Sequence, residues 1–188
     1  MKQFLKVVIP AFSVLFIAAC GDGNSNGNTD NKDSASHTGH DEMKMEEGKT
    51  SSPAVKLKDD KLNAVYQHYV HLTTALTNGD MAEAKVASNA IEAGAKEIPG
   101  AETVVSNATK ITAATDIEVQ RTAYSTLSND FIALVKKSGL NSGELYVDYC
   151  PMALNDKGAS WISPNKEIRN PYFGEKMMTC GEVKETIK

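Results

Sequence analysis

Leu62-Asn63-Ala64-Val65-Tyr66-Gln67-His68-Tyr69-Val70-His71-Leu72-Thr73-Thr74-Ala75-Leu76 is the stretch that decides the architecture. Leu62, Val65, Tyr69, Leu72 and Leu76 recur in steps of three and four, which on a helix of 3.6 residues per turn draws one apolar stripe. Asn78-Gly79 then supplies a helix stop,. Asp80-Met81-Ala82-Glu83 has the spacing of a helix start, with Asp80 as the cap,. The second helix runs to about Glu97, where Pro99-Gly100 stops it, and its small face (Ala84, Ala87, Ala90, Ile91, Gly94) permits close approach by a neighbour,. A third helix is expected over Ala101 to Ala114, with Val104, Val105, Ala108 and Ile111 inward. Asp116 caps a fourth, whose stripe is Tyr124, Leu127, Phe131 and Leu134 and which Ser138-Gly139 closes. Amphipathic segments joined by short turns predict an all-α fold, an up-and-down antiparallel bundle of about four helices over residues 57–138.

Beyond Gly139 the helix period disappears. Leu145-Tyr146-Val147 reads as a short extended segment, and a final turn of helix is expected from Glu182. Between them Pro151, Gly158, Pro164, Pro171, Gly174 and Gly181 punctuate the chain too often for long regular elements, so residues 139–188 are expected to form an irregular cap,. A cap of that length is ordered only if something anchors it, and Trp161, Tyr172 and Phe173 are the candidates for packing onto the bundle end,. Residues 57–188 thus read as a single domain of about 130 residues.

The chemistry is concentrated in the cap. Cys150-Pro151-Met152-Ala153 and Met177-Met178-Thr179-Cys180-Gly181 place each cysteine within three residues of a methionine. Thiolate and thioether are soft donors that favour Cu(I) over hard ions, which makes Cys150, Met152, Met177, Met178 and Cys180 a candidate copper site. Met178 and Cys180 are two apart, which in an extended segment puts both side chains on one face. The same cysteines can instead form a Cys150–Cys180 disulfide closing a loop of about 30 residues, a linkage that stabilises by about 2–4 kcal/mol. A redox-reactive pair is a third reading, ranked behind these because redox motifs more usually hold their cysteines close in sequence.

Residues 1–19 read as a lipoprotein signal peptide. Lys2 and Lys6 form a basic region, Val7 to Ala19 an apolar run too short to span, and Ile17-Ala18-Ala19-Cys20-Gly21 resembles a bacterial lipobox,. That resemblance implies cleavage before Cys20 and lipidation of Cys20, a multiply acylated anchor that holds without spanning. Residues 20–56 read as a disordered, lipid-anchored tether, since Gly21 to Ser52 holds almost nothing apolar,. With a flexible-chain span of roughly 30 Å, it would hang the domain off a bacterial membrane on the extracytoplasmic, oxidising side. Within it, His37, His40, Met43 and Met45 are either an auxiliary, weak copper-capturing cluster or part of a plain solvated linker,. His68 and His71, one turn apart on the first helix, read as a surface pair before they read as a metal pair.

The series Cys150 to Ala153 (CPMA), Trp161 to Ser163 (WxS), Asn170 to Gly174 (NPYFG) and Met177 to Gly181 (MxxCG) resembles a bacterial family known as domain of unknown function 3347. The resemblance extends over about residues 60–188. It implies lipoproteins, or appendages of periplasmic adaptor subunits of heavy-metal efflux systems, and a link to copper or silver handling. It implies no reaction.

Composition excludes some classes. Loss of Lys2 and Lys6 with the leader moves the formal net charge from −4 to −6, which gives no support for nucleic-acid binding,. No phosphate loop, nucleophile elbow or metalloprotease helix is present, so no enzyme activity is expected,. The expected function is a lipid-anchored extracytoplasmic protein that captures or passes Cu(I) or Ag(I). The alternative is a disulfide-stapled interaction module docking on an efflux adaptor or similar envelope assembly.

Overall fold

The computed structural model describes residues 54–188. The bundle helices are α1 (Asp60–Asn78), α2 (Met81–Ala95), α3 (Glu102–Ala113) and α4 (Ile117–Ser138). Three of the four start on an aspartate cap. Asp59 accepts from Leu62 N at 2.8 Å to cap α1, Asp80 accepts from Ala82 N and Glu83 N to cap α2, and Asp116 does the same for α4 through Glu118 N and Val119 N,. Gly79 turns left-handed (φ 73°) after α1, and the Asp80 N–H reaches back to the Ala75 carbonyl at 2.8 Å, closing the helix as glycine at this position favours,.

Consecutive helices pack on one another, α1 on α2, α2 on α3 and α3 on α4, with a further contact of α1 on α4. Leu62, Val65, Tyr69, Leu72 and Leu76 are all buried, each worth about 1.5–3 kcal/mol for a large apolar side chain. The small face of α2 serves as expected at its closest point, where a Cβ on Gly94 would lie 2.8 Å from Val65 Cγ2. Two details of the expected stripes shift: Val105 and Leu134 are half-buried, while Val135 and Ile132 are buried in the core.

The fold is not all-α. Two antiparallel sheets join the helices, which makes it mixed α and β. A small ribbon pairs β1 (Lys56–Leu57) with β2 (Leu140–Ser142), tying the entry of the bundle to its exit. The expected irregular cap is built on a three-stranded sheet of β3 (Leu145–Cys150), β4 (Ala159–Ser163) and β5 (Glu182–Ile187), in the order β4-β3-β5. Strands of this length are ordinary, and the prolines and glycines fall between them rather than within them. The expected last turn of helix at Glu182 is instead the edge strand β5. Its exposed Glu182, Lys184 and Glu185 suit an edge that must not pair with other chains,.

The β3–β4 connection contains a short turn, α5 (Ala153–Asp156), in which Leu154, Asn155 and Asp156 all have positive φ (54°, 57° and 61°). Left-handed backbone costs an L-residue about 1–2 kcal/mol, and asparagine and aspartate bear it better than leucine. The aromatic anchoring occurs as expected. Trp161 and Tyr172 are buried and meet edge to face at 5.9 Å, and Tyr172 contacts Tyr124 of α4 at 5.5 Å. Tyr69 stacks on Phe131 at 4.6 Å and accepts the Ile162 N–H of β4 on its hydroxyl at 3.1 Å, so α1 is bonded directly to the sheet.

Candidate functional site

Cys150 ends β3 and Cys180 lies just ahead of β5. Antiparallel pairing of Tyr149 with Glu182 brings the two ends together. The sulfurs lie 2.6 Å apart. Their environments differ: Cys150 is fully buried, whereas Cys180 is half-buried. The hydrogen bond with Cys150 and then burial push the Cys180 thiol up to about 11, which keeps it protonated at neutral pH. Gly181 makes the approach possible. At φ 142° it occupies a conformation that favours glycine, and a Cβ there would lie 3.0 Å from Trp161 Cη2 and 3.1 Å from the Tyr149 carbonyl,.

The motif around Asn170 sets the position of Cys180. Asn170 is completely buried and uses both ends of its amide. Its Oδ1 accepts from Tyr172 N at 2.7 Å and Phe173 N at 3.2 Å, and its Nδ2 donates to the Cys180 carbonyl at 2.7 Å. Pro171 presents its carbonyl to Arg121 Nε at 2.9 Å. Gly174 (φ 57°) passes so close to α1 and α4 that a Cβ would lie 2.8 Å from the Thr77 carbonyl and 2.9 Å from Arg121 Nη2. Trp161 of the WxS segment and Tyr172 are core, and Ser163 Oγ accepts from Asn165 N at 3.0 Å. Each of these segments has an assignable role in building the cap.

The methionines do not follow the expected geometry. Met152 lies in the turn after β3 with 46% of its surface exposed. Met177 ends the 3-10 turn Gly174–Met177, and Met178 continues in helical conformation (φ −53°, ψ −40°). The segment is therefore not extended, and the two-residue spacing does not place Met178 and Cys180 on a common face. The sulfurs are unbonded thiols 2.6 Å apart, near enough to close a disulfide with little movement of the backbone,. Among the described residues no three His, Cys, Asp or Glu side chains converge as metal ligands. Cys20, His37, His40, Met43 and Met45 lie outside the described residues, as do the signal peptide and most of the tether. His68 is exposed, and His71 bonds Glu83 across α1 and α2 at 2.9 Å.

Sequence reasoning passed over two buried charged residues. Asp148 lies at the centre of β3 with 0% exposure and with neither carboxylate oxygen hydrogen-bonded. Burial alone raises it to about 7. Its cross-strand partners, Trp161 and Val183, carry no charge. Arg121, 4% exposed, ties α4 to α1 through Nη2, which donates to the Leu76 carbonyl at 3.1 Å, and to the Pro171 turn through Nε, while Nη1 donates within α4 to Glu118 Oε1 at 2.8 Å. The available signals were an acid inside Leu145-Tyr146-Val147-Asp148-Tyr149-Cys150 and an arginine three residues before Tyr124 on an apolar stripe.

A cleft of about 90 Å³ between α1 and β4 is lined by Val70, Thr74, Ile162, Asn165 and Arg169 among others, small beside the roughly 300–1,000 Å³ of ordinary ligand sites. No helix among the described residues is long and apolar enough to cross a membrane.

Residues 65–143 match a family described as "Protein of unknown function (DUF3347)". The match runs from within α1 through α4 and β2 and ends before Cys150. The motif series in the cap, from Cys150 to Gly181, therefore lies beyond it. No curated protein and no solved structure matches the chain.

Proposed function

We propose that this chain, which carries a DUF3347 domain, is a lipid-anchored extracytoplasmic interaction module whose cap is stapled by a Cys150–Cys180 disulfide and which docks on an envelope assembly of the heavy-metal efflux type. The observation that supports this reading is the close approach of the two unbonded sulfurs, 2.6 Å apart, while Met152 stands exposed in a separate turn. A copper carrier needs its soft donors gathered around one centre; here the cap motifs are occupied in bonding and packing the cap. The membrane attachment rests on the lipobox-like residues before Cys20, and the efflux assembly on the family resemblance.

Copper titration of the full chain, oxidised and fully reduced, with a free-thiol count on each sample, separates the module from the carrier. The module predicts no free thiol in the oxidised chain and no rise in melting temperature with Cu(I) in either form. A carrier binds Cu(I) to its native reduced state, and mass action then stabilises that state by about 2.7 kcal/mol at a hundred times the dissociation constant. Such a rise, lost in Cys150→Ser and Cys180→Ser, would overturn the module reading.

A further inference from the structure

Three features of the cysteine pair go beyond what a static staple requires. The first is unequal access: Cys150 is fully buried and Cys180 half-buried, so Cys180 is the more accessible of the two to an incoming sulfur. Exchange depends on which sulfur can be reached as much as on the thiolate fraction. The second is that Cys180 is held without its sulfur. Its N–H donates to the Met177 carbonyl at 3.1 Å and its carbonyl accepts from Asn170 Nδ2 at 2.7 Å. Cys150 is fixed by the central strand of the sheet, paired with Ala159. Opening the linkage therefore leaves both cysteines in place to close it again. The third is the left-handed run Leu154, Asn155 and Asp156 (φ 54°, 57° and 61°) in the turn after Cys150. Unfavourable backbone of this kind gathers at sites where it serves a function.

We propose that the Cys150–Cys180 pair is a thiol-exchange site, entered at half-buried Cys180 by an external dithiol and releasing buried Cys150 as the leaving sulfur. The inference rests on the linked pair of the stapled-module reading and adds that the staple is reversible. One thiolate of the dithiol attacks Cys180 Sγ, forming a mixed disulfide as the Cys150–Cys180 bond breaks and Cys150 departs as a thiolate. The second thiolate of the dithiol then attacks the reagent's own sulfur in the mixed disulfide, and Cys180 leaves. The dithiol is oxidised to a disulfide by two electrons, the protein pair is reduced by two, and the two protons lost by the dithiol are taken up through solvent by the two cysteines. The reverse steps, from a disulfide-bearing partner, restore the linkage.

The test uses the full chain, oxidised and kept native. It is treated with a monothiol (reduced glutathione), quenched in acid and peptide-mapped. Adduct is expected on Cys180 in at least ~10-fold excess over Cys150, following access of the reactive sulfur. Dithiothreitol should then open the pair without unfolding the domain, and oxidised glutathione should re-form it. Single variants check the direction: the lone thiol of Cys150→Ser should be alkylated by iodoacetamide in the native state far faster than that of Cys180→Ser. Adduct mainly on Cys150, or a linkage that reacts only after denaturation, overturns the exchange site and leaves the staple standing. A map with no Cys150–Cys180 linkage overturns the staple, and the exchange site with it.

Discussion

The Asn170 side-chain amide donates to the backbone carbonyl of Cys180 at 2.7 Å while its oxygen caps the turn that begins at Pro171. One buried residue thus joins the aromatic anchor of the cap to the cysteine ahead of β5, independently of any bond between sulfurs.

Asn170→Ala should be among the most destabilising single changes in the cap. It leaves the Cys180 carbonyl and the Tyr172 and Phe173 N–H groups without their partner, and each buried unpaired group costs about 1–3 kcal/mol. Urea denaturation should show a loss of roughly 3 kcal/mol or more on that basis. A loss below about 1 kcal/mol would remove Asn170 from this role.

Gly174→Ala tests the approach of the cap to the bundle. The left-handed φ of 57° is strained for alanine, and the atom 2.8 Å from its Cβ is the Thr77 backbone carbonyl, which cannot rotate aside. A cost of about 1–3 kcal/mol is expected. Thermal melts unchanged from wild type would show that the 170–174 turn is looser than described.

Arg121→Lys should not be conservative. Lysine lacks the planar fork that serves the Leu76 and Pro171 carbonyls and Glu118 together,. Stability should fall by roughly 2–4 kcal/mol as buried carbonyls lose their donor. A lysine variant as stable as wild type in urea would contradict the clamp.

Asp148 gives the stability its pH dependence. Unfolded, this carboxyl ionises near its ordinary value of 3.8; folded, burial delays ionisation to about 7. Between those values the native state holds the extra proton, so its stability falls as pH rises from about 4 to 7 and levels off above. The full shift corresponds to a penalty of up to ~4 kcal/mol. Asp148→Asn removes the ionisation, so urea curves for wild type and variant should diverge in the variant's favour between pH 5 and pH 8. An equal difference at both pH values would contradict the buried, unpaired carboxyl.

Three of the four bundle helices, α1, α2 and α4, were legible because their 3.6-residue period runs for fifteen residues or more, with caps at Asp80 and Asp116 and a glycine stop at Gly79. The strands were not. Residues of β3 are buried or half-buried throughout, so Leu145 to Cys150 shows no clean alternation, and the glutamates and lysine of β5 resemble a solvated helix end. The meeting of Cys150 with Cys180 belongs to the copper and the disulfide readings alike; its geometry comes from the register of β3 against β5, a non-local pairing that spacing does not encode. The expectation for Met178 failed because the Asn170 turn bends the segment into 3-10 and helical conformation before Cys180.

The most direct measurement of the central claim is a non-reducing peptide map of the full chain, isolated under acid and alkylated before digestion. The stapled module predicts one Cys150–Cys180 linked peptide pair and no alkylation at either cysteine. Both cysteines recovered as alkylated thiols would contradict it.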